Sequence, residues 1–452
     1  MTVSASTIAA IRFGYGYHPD QPPPRGADDL LTQIRRGTRA RPIFPVEPIA
    51  KRADEVRRMF AIRKASGRSD EFRQMRRKIR HKTVREGVDG LLHRALSPNG
   101  MFERLTAFWL DHFSVGFRNA VHTRTLVPFE HDAIRAHLNG RFADMLTAVA
   151  QHPAMLVFLD QGASIGPNSR AGSRRGRGLN ENLAREILEL HTMGVDGPYT
   201  QKDVREFAEL LTGYGVKLRD GAFQFFPTRA EPGAETVLGT TYGGDPPRAE
   251  HAHALFEDLA MHSATADHIA HKLAVHFVAD DPDPDLVRHI AAAWKRSRGN
   301  LPRVYEALLD HPAAWDAFGA KVKRPEELIV STLRAGGLTR AEAKAIDRRP
   351  RSHIIRDLKR MNQPLHQPPG PQGWPEDAEA WITPQGLAAR LDFAGTTGQR
   401  LAKARQDLDP RRFAQTALQD ALRPETAFAV GGAPERWEGL ALVLASPEFN
   451  RR

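Results

Sequence analysis

The chain has 452 residues, 41% of them hydrophobic, which is enough for a sizeable core in one large or two medium domains. It has no cysteine, so disulfides, zinc–thiolate sites, iron–sulfur clusters and cysteine nucleophiles are excluded. A formal net charge of +11 fits either anionic partners or a solvated, arginine-rich surface.

The N-terminal stretch MTVSASTIAAIRFGYGYHPD has no basic lead, and its apolar run is broken at Arg12. This predicts no signal peptide, no membrane-spanning segment and a cytoplasmic location. Residues 52–64 place Val56, Met59, Phe60 and Ile62 closer to a 3.6 than a 2.0 period. Basic residues are dispersed except for a dense run from Arg73 to Arg85. That run has no interleaved aromatics to stack on bases, which argues against nucleic acid as a partner. On a helix, Met75, Ile79 and Val84 would face inward and the arginines outward. The helical pattern continues over 101–113, 180–193, 201–212, 249–260, 265–278, 283–296, 301–310, 325–335, 384–394, 411–422 and 436–445. The clearest strand-like stretch is 216–226, where Asp220-Gly221 between two short runs predicts a hairpin. The expected fold is mainly α: a large multi-helix globular fold with one small β-hairpin near 216–226. The loop 161–179 is rich in Gly, Ser and Arg. The proline-rich stretch 362–376 is the expected connection between a main helical domain, 1–361, and a C-terminal helical segment, 377–452, packed on it.

Residues 152–214 carry an ordered set of motifs. They are Asn180-Glu181-Asn182, Ala184-Arg185-Glu186, Glu189-Leu190, Gly194-Val195, Tyr199-Thr200, Asp203-Val204 and Leu211-Thr212-Gly213-Tyr214. This block resembles the bacterial domain of unknown function 1800 family. The likeness extends to Trp109-Leu110-Asp111-His112-Phe113, with Asp111 where the family usually has Asn. It also covers residues 262–278, Lys323-Arg324-Pro325-Glu326, Pro371-x-Gly373-Trp374 and the terminal Ser446-Pro447-Glu448-Phe449. The resemblance implies no established activity. It does imply a candidate partner, a sulfatase-like protein of the domain of unknown function 1501 family that often carries a twin-arginine export signal. A leaderless chain would then be exported with that partner. One departure stands out: the family's usual histidine and lysine positions hold Ala230 and Glu235 here.

Within the helix expected at 180–193, Asn180 suits the cap and Gly194 a left-handed C-terminus. Leu183, Ile187 and Leu190 form the apolar stripe, and Asn182, Glu186, Glu189 and Met193 an adjacent one. Two carboxylates three apart have ligand spacing for an oxygen-preferring divalent cation. They equally suit an acid–base pair poised by Arg185, or an ordinary surface ion pair between Arg185 and Glu189 beside a solvated Glu186. His112 falls with Leu105, Phe108 and Trp109 on an apolar stripe. It is either a satisfied core histidine or a group that faces Glu186 and Glu189 across a helix contact. The candidate catalytic set is therefore His112, Asn182, Arg185, Glu186 and Glu189, with His112, Glu186 and Glu189 as the candidate metal ligands.

Arg170, Arg174, Arg175 and Arg177 lie just ahead of this helix, as an anion funnel for substrate or a disordered tether. His191, near the helix C-terminus, is a weaker candidate that could simply complement the dipole. Thr200 and Asp203 read as a capping box, which makes Asp203 structural. Gly162-Ala163-Ser164-Ile165-Gly166 has the spacing of a nucleophile elbow but lacks the strand and helix that motif needs. A metal site at His268, His271 and His276 is discounted, because only His276 and Lys272 sit at family-matching positions. Two functions stay open: an enzyme-like inter-helix site acting on an anionic substrate such as a phosphate, sulfate or polysaccharide ester, and a non-catalytic helical partner protein.

Overall fold

The computed structural model describes residues 3–117, 120–175, 178–217, 221–349 and 352–452. The chain opens with α1 (Ala5–Ile11), α2 (Ala27–Arg39) and two long helices, α3 (Ile49–Ser66) and α4 (Asp70–Leu96). Then come α5 (Gly100–His112), α6 (Ala120–Phe129), α7 (Phe142–Gln151), α8 (Pro153–Phe158), α9 (Gly172–Arg175), α10 (Asn182–Glu186) and α11 (Gln201–Leu210). Two small hairpins follow, β1 (Tyr214–Val216) with β2 (Phe223–Phe225) and β3 (Ala234–Val237) with β4 (Thr240–Gly243). After them lie α12 (His251–Met261), α13 (Ser263–Phe277), α14 (Pro284–Ser297) and α15 (Leu301–Asp310). The rest comprises α16 (Pro325–Ala335), α17 (Arg340–Ala345), α18 (His353–Arg360), α19 (Ala378–Trp381), α20 (Pro384–Ala404), α21 (Pro410–Leu418), α22 (Pro424–Gly431), α23 (Arg436–Ala445) and α24 (Pro447–Asn450). The architecture is mainly α, as the sequence predicts. No described helix is long and apolar enough to cross a membrane.

Two apolar cores organise these elements. The larger is built around Trp109, Phe142, Phe207, Phe256, Trp294 and Tyr305, with Ile8 of α1 and Leu30 and Ile34 of α2 packed into it. The second joins Val88 and Leu92 of α4 to Leu328 of α16, Leu358 of α18 and Phe393, Phe413, Leu440 and Phe449 of the C-terminal helices. One continuous core thus binds the region 377–452 to α4 and α16. The proline-rich segment 362–376 runs between the cores: a Cβ on Gly87 would meet His366, and one on Gly116 would meet Pro368.

The expected hairpin forms with Tyr214 opposite Phe225. Its loop is longer than a two-residue turn, because the Lys217 N–H donates to the Ala222 carbonyl at 2.9 Å. Gly221 takes the expected positive φ, 67°, while Asp220 lies outside the described residues. The second hairpin has no expectation behind it. Leu238 and Gly239, at φ 52° and 79°, make its two-residue turn. A leucine is costly in that region, and the Asp203 carboxylate holds it there by accepting the Leu238 N–H at 2.7 Å.

Two segments depart from α-helical geometry. α6 runs into a π-helix at Glu130–Arg135, and α10 into another at Ile187–Thr192, where the Met193 N–H donates to the Leu188 carbonyl five residues back. Such wide turns are rare and concentrate at functional sites.

Candidate functional site

The π turn explains what becomes of the expected site at 182–189. It advances the helix face, so Leu188 joins Leu183 and Ile187 in the core and Leu190 is only half-buried. Asn180 does serve the helix start, its side-chain oxygen accepting the Asn182 N–H at 3.0 Å. Gly194 ends the helix at φ 91°. Asn182 is exposed. Arg185 bridges Glu181 at 3.0 Å, Glu189 at 3.1 Å and Gln201 at 2.9 Å, which is the surface ion-pair arrangement. Burial and the neighbouring Glu189 push the Glu186 carboxyl up to about 7.

His112 lies away from that edge. It is buried, its ring packs on Phe108, Trp109 and Phe113, and its Nε2 donates to the His191 carbonyl at 3.1 Å. Burial, Lys272 and the neighbouring imidazoles His191 and His268 push its pKa well down, so the ring is neutral. The ligand atoms of His112, Glu186 and Glu189 do not come within 4.8 Å of one another, so the expected metal trio is not assembled. The loop arginines divide: Arg170 is exposed, the side chains of Arg174 and Arg175 are not described, and Arg177 lies outside the described residues. Thr200 and Asp203 form the expected capping box.

The family-motif residues converge elsewhere. Arg324, the residue before α16, donates to Asp111 of α5 at 2.6 Å and to Glu376 at 2.9 Å. Asp111 also accepts the Trp374 N–H at 2.9 Å through its other oxygen. His276 of α13 meets Glu376 at 2.6 Å through Nδ1 and Arg104 at 3.2 Å through Nε2. Arg324 also approaches Nδ1, at 3.0 Å, but the Glu376 carboxylate can only accept, so the proton sits on Nδ1 and Nε2 accepts from Arg104. Behind this row, Glu327 is held by Arg104 and by Arg452 at 3.0 Å. Burial opposes ionisation of Glu376, but Arg324, His276 and Lys321 more than offset it and keep the carboxyl well below its ordinary range. His276, buried between two guanidiniums, is pushed down to about 3 and stays neutral.

This network forms one wall of a cavity of about 140 Å³. Asp111, His276, Arg324 and Trp374 line it from one side. Glu86, Asp89 and Arg94 of α4 line it from another, and Glu130 and His131 from the π turn after α6. His366 and Pro368 close it. Arg94 grips Glu130 at 3.2 Å and also pairs with Glu326. His366 has φ 56°, a left-handed conformation rare for a residue with a Cβ, and its buried Nε2 has no hydrogen-bond partner among the described residues. Burial pushes its pKa down to about 4. Burial pushes Asp89 up, against the pull of its partner Arg348. The cavity wall carries six carboxylates, each paired with arginine: Glu86 with Arg52 and Arg124, Asp89 with Arg348, Asp111 with Arg324, Glu130 and Glu326 with Arg94, and Glu327 with Arg104 and Arg452. Helical periodicity cannot reveal these residues as a site, but the quoted motifs contain Asp111, Arg324, Glu326 and Trp374 of its polar wall.

The departure at 230 and 235 also has a structural outcome. Ala230 is buried beside Gly213. Glu235 joins Glu206 and Glu209, the one group of three carboxylates or imidazoles among the described residues whose ligand atoms lie within 4.8 Å. Burial, a hydrogen bond with Glu206 and the charge of Glu209 push Glu235 up to about 8. Its folded pKa exceeds the ordinary carboxylate value, so protonation favours the folded state and this contribution is lost as pH rises through about 8. Glu235→Lys, which sets an ammonium beside Glu206 and Glu209 in place of a third carboxyl, is expected to raise Tm by roughly 1–3 °C at pH 7. The difference should widen between pH 7 and 9. Scanning calorimetry at both values checks this, and a lower Tm for the lysine variant would refute it.

Comparison with known proteins places the chain. No curated protein and no solved structure matches it. A family model described as "Protein of unknown function (DUF1800)" matches residues 8–451, nearly the whole chain, including every segment that builds the cavity wall. The chain therefore belongs to the DUF1800 family.

Proposed function

We propose that this chain is an enzyme-like protein whose working site is the cavity between α4, α5, the π turn after α6, α16 and the segment 362–376, and that the site performs acid–base chemistry on a small cationic or hydroxylated ligand. The observation that carries this reading is the meeting of four motif segments, at Asp111, His276, Arg324 and Trp374, on one wall of a polar cavity. The inter-helix combination of His, Glu and Arg expected from the sequence is thereby relocated rather than abandoned. Asp89, which burial makes easier to protonate, and Glu326, gripped by Arg94, supply carboxyl groups for proton transfer. The neutral imidazole of His366 offers a hydrogen-bonding nitrogen. The wall's two guanidiniums, Arg94 and Arg324, are each already engaged by two carboxylates and so are not free to hold an anion, which favours positive or neutral ligands over phosphate or sulfate esters.

A thermal-shift panel of small amines, guanidines and monosaccharides, set against sulfate and phosphate esters, tests the reading. Members of the first group should raise the Tm of the wild type and lose that effect in Glu326→Gln. Stabilisation by the esters alone would restore the anionic-substrate reading, and no shift from either group would remove the cavity as a ligand site.

A second reading, the helical partner protein, is favoured by one observation. Among the described residues, five of the seven exposed large apolar side chains lie near the C-terminus: Ile382, Leu387, Leu391, Phe428 and Leu442, with Phe428 86% exposed. Unpartnered apolar side chains of this kind fit a protein interface. Co-purification with a sulfatase-like protein of the domain of unknown function 1501 family, lost in Phe428→Ser, would support it.

A further inference from the structure

The dispersed positive charge of the sequence is concentrated in space. Residues 49–85, which form α3 and most of α4, hold fourteen Lys and Arg against four Asp and Glu. That is ten of the chain's eleven net positive charges on one helical hairpin. Met59, Phe72 and Ile79 zip the two helices together in a small core of their own, with Ile62 and Met75 packed on it. The root is clamped by an ion cluster in which Arg52, Lys82 and Arg124 engage Glu47, Glu55 and Glu86. Beyond the root the cations are solvent-facing. Arg73, Arg76, Arg77 and Arg80 share one face of α4 at helical spacing, and all four are exposed. Only Arg73 of these pairs with a described carboxylate, Asp70.

We infer that the α3–α4 hairpin is a docking surface for the phosphate backbone of double-stranded nucleic acid. Nine of its twelve exposed cations are arginines, whose planar fork matches phosphate oxygens better than the point charge of lysine. The lack of aromatics excludes stacking on single-stranded bases but places no bar on a duplex, whose bases are stacked inside and whose phosphates face outward. A lipid surface is the poorer match. The tip is Ser66-Gly67-Arg68-Ser69, and Phe60, 40% exposed, is the single large apolar group the hairpin shows to solvent. Contacts of this type read charge rather than base sequence, so the expected binding is salt-sensitive and indifferent to sequence.

The test uses the full chain, a fluorescently labelled duplex of arbitrary sequence and anisotropy across a salt series. One variant carries Arg73→Glu, Arg76→Glu, Arg77→Glu and Arg80→Glu. A second carries the same charge change off the hairpin, at the exposed Arg36, Arg170, Arg303 and Arg340. Circular dichroism verifies that both fold. The wild type should bind duplex with a steep salt dependence. The hairpin variant should lose at least tenfold in affinity, with a shallower salt slope by roughly 3–4 for four lost phosphate contacts. The off-hairpin variant should stay within about threefold of the wild type. Equal weakening of both variants would overturn the assignment, because net charge alone would then account for binding. So would tighter binding to a single strand or to phosphatidylserine vesicles than to the duplex.

Discussion

Arg324→Ala is expected to destabilise the chain by about 3–5 kcal/mol, the range for breaking a buried ion pair from one side. Arg324 holds Asp111 at 2.6 Å and Glu376 at 2.9 Å, and its loss would strand both carboxylates in a desolvated site. Asp111 would keep its bond from the Trp374 N–H, and Glu376 its contacts with His276 and Lys321. Neither set replaces a guanidinium shared between the two. Arg324→Lys should recover only part of the loss, since one ammonium cannot reach both carboxylates in the same fork. Neutralising the partners gives the sharper control. In an Asp111→Asn, Glu376→Gln background, Arg324→Ala should cost markedly less than in the wild type. Because the Glu376 carboxyl is depressed in the folded state, its contribution is present above the unfolded carboxylate value and fades as pH falls below it. Wild-type stability should therefore drop in acid more steeply than that of Glu376→Gln alone, a background that leaves Asp111, which burial shifts the opposite way, unchanged. Urea unfolding at pH 7 and pH 3 measures both effects, and a loss under 1 kcal/mol for Arg324→Ala at pH 7 would sink the argument.

The second large effect is expected at Gly373. Its φ is 82°, and a Cβ there would sit 2.6 Å from the Asp111 carbonyl oxygen and 2.7 Å from the Asp111 carboxylate. Gly373→Ala therefore combines left-handed strain with a steric clash against α5, together about 2–4 kcal/mol. The segment 370–376 would have to lift, drawing Trp374 away from Asp111 and Glu376 away from Arg324. Gly233 supplies the comparison, with φ 95° and nothing within 4 Å of the added carbon. Gly233→Ala should show the conformational cost alone, about 1–2 kcal/mol. Equal Tm losses in the two variants would mean that the close approach to Asp111 carries no cost.

What could be read in advance follows the range of the interactions involved. The Thr200–Asp203 capping box, the left-handed Gly194 and the first hairpin rest on contacts within a few residues, and each formed. The second hairpin was hidden because its turn begins with Leu238, a residue that takes positive φ only with help from Asp203, 35 positions away. The π turn at Ile187–Thr192 leaves no mark in residue type, so the stripe through Asn182, Glu186 and Glu189 was drawn at α-helical spacing and did not meet His112. The cavity wall depends on pairs such as Asp111 with Arg324, 213 residues apart, beyond any periodicity. Its members were nevertheless present in the family motifs, as conspicuous residues without a known meeting place.

The π turn at Glu130–Arg135 means that this helix holds one more residue than its length along the axis requires. Deleting a single residue there would allow an unbroken α-helix to span the same two ends. Such a deletion is ordinarily ruinous in a buried helix, because it swings everything on one side by about 100°. Here the surplus residue would absorb it, and the chain should fold. The cost would fall on Glu130 and His131, which would rotate away from Arg94 and the cavity. This short stretch would thus separate the ability to fold from the ability to bind, two properties that changes elsewhere in the wall would remove together.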